Sequence, residues 1–347
     1  MLHEDNRRNI AGNAALLSII IITKDTKELL GDLLRSIEQD ISLTPFLKQI
    51  VVVDNASSDG TEVMVRREFG SALFLRNETN MGFGASANSG FRKSTGELIF
   101  FLNSDTRLIK GELLKLVLFM RGNKSVGICG PQLVYPDMRL QRSWAEIPGP
   151  ASEIIPKALR NLLFKKASKA GPEGKGRKPS ASGEDASAGG AYDVESLIGA
   201  AILVRREAFE KVGGFDEKYF FFLEETDLCM RIGEAGFRLV LFSGARIIHL
   251  QGSTVRKNWV RGRIEYNISM YKFIRTHYPP FQYRTFQAVR FIKAAVFLLV
   301  LTCVPFLLLG KRTRRTYRYY SALVGWHLSG CPDDAGLRKK EQGETMG

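Results

Sequence analysis

Three acids within four residues, Glu224, Glu225 and Asp227, follow the aromatic run Tyr219 to Phe222. An apolar wall disfavours the ionised form of a carboxylate and raises its affinity for a proton, as a general base requires. The same acids also suit the N-terminus of a helix through its dipole. A second group is Asn103-Ser104-Asp105, directly after the apolar run Leu98 to Leu102. Alternate residues at a strand end can direct two oxygens toward one point. A hard divalent cation bridging phosphates needs one or two such protein oxygens. His249 follows the strand-like Ala245–Ile248 and can complete a metal site with Asp105. Asp54 opens the stretch Asp54-Asn55-Ala56-Ser57-Ser58-Asp59-Gly60-Thr61, where a strand-end carboxylate can accept hydrogen bonds from a nucleobase or ribose. Turns use the same residue types. In Asn80-Met81-Gly82-Phe83-Gly84-Ala85-Ser86-Ala87-Asn88, small residues let backbone approach a phosphate ahead of a helix. This stretch is neither a GxGxxG fingerprint nor a P-loop.

The elements that must hold these residues are legible as hydrophobic patterns. Leu17–Ile22, Ile50–Val53, Ala72–Leu75 and Leu98–Leu102 read as strands, the longer runs apolar throughout, as when both faces are covered. Leu29, Leu30, Leu33, Leu34 and Ile37 recur at helical spacing, and Leu113–Met120 is helical. Alternating strands and helices predict a doubly wound α/β sheet, with ligands at the carboxyl ends of its strands. Asp25, Asp54, Asn103 and Asp105 fall there. The apolar stretch Ala14–Ile22 precedes Thr23-Lys24-Asp25 rather than a small-residue cleavage site, so it reads as a buried strand, not a signal peptide. Lys165–Ala191 has almost no large apolar residues and predicts a disordered loop. Order resumes at Leu197–Val204, and a helix runs from near Glu224 to Gly236.

The chain has 347 residues and a net charge of +14, with 44% hydrophobic and 25% charged residues. A basic excess points to an anionic partner. The basic residues concentrate after Arg256, beside apolar and aromatic segments, which favours a membrane surface over nucleic acid. Ala294–Leu309 is apolar for sixteen residues, short of the roughly 20 that span a bilayer. Basic residues flank it on both sides, Lys293 before and Lys311 to Arg318 after. Two basic flanks predict an in-plane or re-entrant segment with both ends cytoplasmic; a buried core helix is the alternative. Cys129, Cys229, Cys303 and Cys331 show no CxxC spacing and read as reduced thiols of a cytosolic protein.

Taken in order, seven blocks of this sequence resemble the family 2 inverting glycosyltransferases of the GT-A fold. They are Ser18–Thr23, Val53–Thr61, Asn80–Phe83, Leu102–Thr106, Gly199–Ala201 with Arg205, Gly213–Glu217 and Glu224–Arg231. Within the family the chain looks most like bacterial rhamnosyltransferases of surface-polysaccharide assembly. The resemblance implies a mixed, mainly parallel sheet flanked by helices over residues 17–256. Around it lie an N-terminal tail at 1–16, a helical membrane-associated region at 257–325 and a flexible tail at 326–347. It implies that Thr23, Asp25 and Asp54 face the nucleoside, and that Asn80 and Asn88 line the ribose and diphosphate. Asn103, Ser104 and Asp105 occupy the DxD position, with Asp105, His249 and Asn103 holding Mg²⁺ or Mn²⁺. Glu225 stands where the family's base, usually Asp, resides. Glu reaches one methylene further, which leaves Glu224 and Asp227 as alternatives. The implied partners are a nucleotide-sugar donor, a polyprenyl-linked or other membrane glycan acceptor and the membrane surface, with no nucleic acid. The implied place is the cytoplasmic face of the inner membrane. A nucleotidyltransferase usually carries a Gly-rich, basic loop after its first strand, where this chain has Thr23-Lys24-Asp25-Thr26.

Overall fold

The computed structural model describes residues 16–150, 190–250, 259–304 and 310–338. The expected loop at 165–191 lies outside these residues up to 189, and Ala191 itself opens a strand. The 1–16 tail, apart from Leu16, and the end of the chain beyond 338 also lie outside them.

In chain order the elements begin β1 (Leu17–Thr23), α1 (Lys27–Glu38), β2 (Leu47–Asp54), α2 (Thr61–Glu68), β3 (Leu73–Arg76) and α3 (Phe83–Lys93). There follow β4 (Leu98–Asn103), β5 (Thr106–Leu108), α4 (Glu112–Gly122), β6 (Val126–Val134) and β7 (Trp144–Ala145). Next come β8 (Ala191–Asp193), β9 (Ser196–Leu197), β10 (Ala201–Arg205), α5 (Arg206–Lys211), α6 (Glu224–Glu234) and β11 (Arg238–His249). The last helices are α7 (Trp259–His277), α8 (Pro280–Cys303) and α9 (Lys311–Leu328). The described residues divide into two compact units. One comprises residues 16–146, 190–217 and 224–250; the other comprises 147–150, 218–223, 259–304 and 310–338.

The first unit is built on a mixed sheet of order β3-β2-β1-β4-β10-β6-β11-β5, with β8 beside β11. Strands β3, β2, β1 and β4 are mutually parallel, as the apolar runs predict. The chain steps outward from β1 to β3 and then returns to place β4 on the other side of β1. That makes the β1/β4 boundary a topological switch point, the place where open α/β sheets generally bind ligands. Residues Thr23 and Asn103 end these two strands. Strand β10 lies antiparallel between β4 and β6, so the sheet is mixed rather than uniformly wound. All seven residues of β1 are buried, and helix α3 crosses close above it. A Cβ on Gly90 would come within 2.6 Å of Ile20 Cγ2, so this glycine sets how near α3 can approach.

The second unit contains α7, α8 and α9, each in contact with the other two. Tyr271 of α7 sits at its centre, edge-on to Tyr283, Phe286 and Trp326. Helix α8 starts at Pro280, well before the apolar run, and is long and apolar enough to cross a membrane by length and composition. The run marked only the greasy part of a helix whose first turn is set by proline at N1. Residues 305–309 of that run lie outside the described residues. Much of α8 is exposed, including Phe297 at 52% and Leu299 at 62%.

Glu265 of α7 is buried and accepts the Leu337 N–H at 2.9 Å. Burial pushes its carboxyl up to about 7 from an ordinary 4.5, against the pull of that N–H and of Lys272. The folded protein therefore takes this proton more readily than the unfolded chain. The stability this proton supports is lost as pH rises from 4.5 toward 7. Glu265→Gln, which mimics the protonated acid, is expected to stabilise the protein at pH 8 by about 1–3 kcal/mol. At pH 5 it should do little. Thermal unfolding of both proteins at the two pH values checks this, and an equal effect at both would remove Glu265 as the cause.

Candidate active site

The loop after β1 and the loop after β2 lock onto each other. Asp25 has a positive φ of 49° and donates its N–H to Ser57 Oγ at 2.8 Å. Its carboxylate accepts the Ser58 N–H at 2.8 Å and lies 3.2 Å from the Lys24 ammonium. Burial alone would raise its pKa, but the Ser58 N–H and Lys24 together hold it below the ordinary carboxylate value. Thr23, Thr26 and Ser104 form a hydroxyl chain, with contacts of 2.8 and 2.7 Å, that ties the end of β1 to the loop after β4. Asp54 is buried and accepts from the Ser57 N–H at 3.2 Å and from Arg76 Nη1 at 3.0 Å. Arg76, which sequence reading did not single out, also donates to Ser57 O at 3.1 Å. Asp54 thus shapes this loop as well as standing at its floor.

Asn55 is a second unforeseen hub. Its Oδ1 accepts from Asn77 at 2.8 Å and Ser86 at 2.6 Å, and its Nδ2 donates to Gly82 O at 3.2 Å. Asn80, half-buried, accepts the Gly82 N–H at 3.0 Å. Asn88 faces the other way. It donates to Phe215 O and to Glu217 Oε1, each at 2.9 Å, and accepts the Phe215 N–H at 3.0 Å. In this structure its amide positions the Gly213-Gly214-Phe215 turn, rather than reaching toward the strand ends.

Asp105 and His249 meet across the sheet edge. Antiparallel pairing of β11 with β5 sets His249 opposite Thr106, and Leu250 N–H donates to Asp105 O at 2.9 Å. His249 Nε2 lies 3.6 Å from Asp105 Oδ1. The buried Gln141 fixes the ring: its Nε2 donates to His249 O at 2.6 Å, so its Oε1 faces His249 Nδ1 at 3.1 Å. With Nδ1–H donating to that oxygen, a neutral His249 presents its Nε2 lone pair to the Asp105 carboxylate. Two acceptors facing each other suit a cation, and an outer hydrogen bond that sets the tautomer is typical of histidine ligands. No group of three His, Cys, Asp or Glu positioned for a metal occurs among the described residues. A two-ligand set matches ions that take their remaining ligands from phosphate and water. Asn103 donates its N–H to Ala200 O at 3.0 Å and accepts Thr106 Oγ1 at 2.7 Å on its own carbonyl.

The three acids separate into three situations at the start of α6. They follow Phe222 and Leu223, both at positive φ (72° and 64°), a strained entry of the kind found at functional sites. Glu224 is buried, its Cβ near Gly84 of α3. Asp227 is buried and paired with Arg231, whose Nη2 and Nε lie 2.6 and 2.8 Å from one carboxylate oxygen, Oδ2. Arg231 in turn donates to the carbonyls of Val212 and Gly214. This commits Asp227 to holding the glycine turn. Glu225 is half-buried against Gly199, whose N–H reaches its carboxylate. Burial raises its pKa above the ordinary value, with backbone N–H groups from Glu225, Gly199 and Thr226 pulling back. A Cβ on Gly199 would lie 3.3 Å from Glu225 Cβ and Cγ. The next residue, Ala200, accepts the Asn103 N–H, so one short segment touches both the base candidate and the end of β4.

One α/β unit thus carries a sheet switch point, an acid–histidine pair at a strand end and a carboxylate of raised pKa. The chain belongs to glycosyl transferase family 2, whose family model matches residues 18–213. A second model, described as the N-terminal domain of galactosyltransferase, matches residues 184–253, which include α6 and His249. The chain is 25% identical over 239 residues to the N-acetylglucosaminyl-diphospho-decaprenol L-rhamnosyltransferase of Mycobacterium tuberculosis, covering 65% of this chain and 74% of that protein. It is 41% identical over 56 residues to rhamnosyltransferase WbbL of Escherichia coli K12, covering 16% of this chain and 21% of that one. In fold it resembles a mannosyltransferase of Pyrobaculum calidifontis solved with GDP-Man and Mn²⁺. The TM-score is 0.50 at 16% identity, covering 92% of this chain and 90% of that one. The chain is therefore a family 2 glycosyltransferase of GT-A architecture, like bacterial rhamnosyltransferases.

Proposed function

We propose that this protein is an inverting transferase that moves L-rhamnose from a dTDP donor onto a polyprenyl-linked glycan at the cytoplasmic face of the inner membrane. The rhamnosyl donor and polyprenyl acceptor rest on the M. tuberculosis relative. A hexose, GlcNAc or galactofuranose donor is the alternative within the same chemistry. The observation that carries the mechanism is the half-buried Glu225 carboxylate, packed at Gly199 with its pKa raised by burial. Asp105 and His249, with Asn103 beside them, would hold Mg²⁺ or Mn²⁺, which when bound supplies neutralising charge for the diphosphate leaving group. Asp25, Asp54 and Thr23 shape the nucleoside end of the crevice, with Asn80 and Ser104 at its flanks. Glu225 takes the proton from the acceptor hydroxyl as that oxygen attacks the anomeric carbon. The nucleoside diphosphate leaves from the opposite face, so the configuration inverts.

Residues 17–256 form the transferase domain in this reading and 257–325 the membrane-associated region, with α8 against lipid. The test is incubation of purified protein and Mg²⁺ or Mn²⁺ with a panel of nucleotide sugars and a polyprenyl diphosphate-linked GlcNAc. Released nucleotide and the anomeric configuration of the product are then read by NMR. The expected result is consumption of dTDP-rhamnose with inversion. A product of retained configuration would sink the mechanism, and selective use of another donor would move the sugar assignment.

A further inference from the structure

Helices α7 to α9 carry an arginine–aromatic assembly that the transfer reaction does not use. Trp259 bears two guanidiniums: Arg315 of α9 at 4.4 Å from the ring centroid and Arg263 of α7 at 5.8 Å. Arg263 also lies 5.6 Å from the Tyr319 ring. The aromatic contacts continue from Trp259 to Tyr319 at 5.7 Å, to Tyr320 at 5.0 Å, and to Phe297 of α8, stacked at 5.1 Å. Phe297 belongs to the exposed apolar face of α8. A continuous chain of ring contacts thus runs from the exposed apolar face of α8, through the buried Tyr319, to the doubly cationic Trp259.

The segment that builds it is strongly basic. Residues 259–328 hold twelve Lys and Arg against one acid, Glu265, which is buried and bound to a backbone N–H. Neither Arg263 nor Arg315, both exposed, forms an ion pair with a described carboxylate. A guanidinium stacked on a ring keeps its planar fork of N–H donors available for two-pronged binding of a phosphate. Two like charges on one indole repel unless an anion sits with them. An aromatic girdle between apolar and basic surface is what a membrane interface selects.

We propose that Trp259, Arg263 and Arg315 form a binding site for the phosphodiester of an anionic membrane lipid, its acyl chains lying toward Phe297 and the exposed face of α8. The proposal rests on the reading of α8 as membrane-associated, and goes beyond it by assigning a discrete head-group site rather than diffuse attraction.

The experiment measures partition of the full-length protein onto phosphatidylglycerol vesicles and onto phosphatidylcholine vesicles. Wild type should prefer the anionic vesicles. Arg263→Gln with Arg315→Gln should lower partition onto phosphatidylglycerol by about 50-fold or more and leave phosphatidylcholine unchanged. Arg263→Lys with Arg315→Lys keeps every charge but loses the planar forks, and should still lower it about 10-fold. Both pairs change exposed side chains, and unchanged thermal unfolding confirms that they fold. If the lysine pair partitions like wild type, the attraction is diffuse and the site is overturned, while the membrane reading stands. If wild type ignores both kinds of vesicle, the membrane reading and the site fall together.

Discussion

Glu225→Gln is expected to leave a folded protein that binds donor nucleotide normally while transfer falls by ~10²–10⁴-fold, the usual loss for a general base. Glutamine keeps the length of the side chain and can still accept the Gly199 N–H, but it cannot take a proton. The wild-type rate should fall on the acid side as Glu225 protonates. Because burial has raised its pKa, that limb should lie above the ordinary 4.5. The limb should vanish in the variant's residual rate. Asp227→Asn tests the main alternative and should fail differently. It leaves Arg231 without its buried partner, a loss of about 3–5 kcal/mol when one member of such a pair is removed. Activity and melting temperature should therefore drop together. Glu224→Gln should cost less than either. A Glu225→Gln enzyme of near-normal rate would move the base elsewhere, and a loss at Asp227 without destabilisation would place it there.

Asp105→Ala is expected to abolish the metal dependence of donor binding. Calorimetric titration of dTDP in Mn²⁺ and in chelator should give two affinities for wild type and one for the variant. The physical reason is the facing pair of acceptors at 3.6 Å, of which the variant keeps only the histidine. Gln141→Leu touches neither nucleotide nor cation directly, yet it should weaken metal affinity by about 10–100-fold, as loss of an outer-shell partner does. Leucine cannot hold Nδ1, so His249 becomes free to present the wrong nitrogen. Unchanged metal dependence in Asp105→Ala would show that the cation is held elsewhere. Full affinity in Gln141→Leu would show that the ring is oriented without it.

By itself the sequence determined the parallel half of the sheet and the order of the candidate residues along it. Runs such as Ile19–Ile22, Val51–Val53 and Leu98–Leu102 are apolar at every position because both faces of those strands are buried. The polar residues that end each run must then emerge at the carboxyl edge. Asp25, Asp54 and Asp105 were legible for that local reason. Only the tertiary structure decided which polar group holds which. Gln141 lies 108 residues before His249 and Asn88 lies 127 before Phe215. No periodicity encodes a hydrogen bond between segments that distant, since it exists only once the strands have paired. The same holds for the three acids at 224, 225 and 227. Their spacing showed that a base was available, but Arg231 claims Asp227 and the Gly199 N–H meets Glu225 only in the folded chain. The start of α8 was hidden for a different reason. Hydropathy records which residues avoid water, whereas a helix begins where the backbone can begin its hydrogen bonds, here at Pro280, fourteen residues before the apolar run.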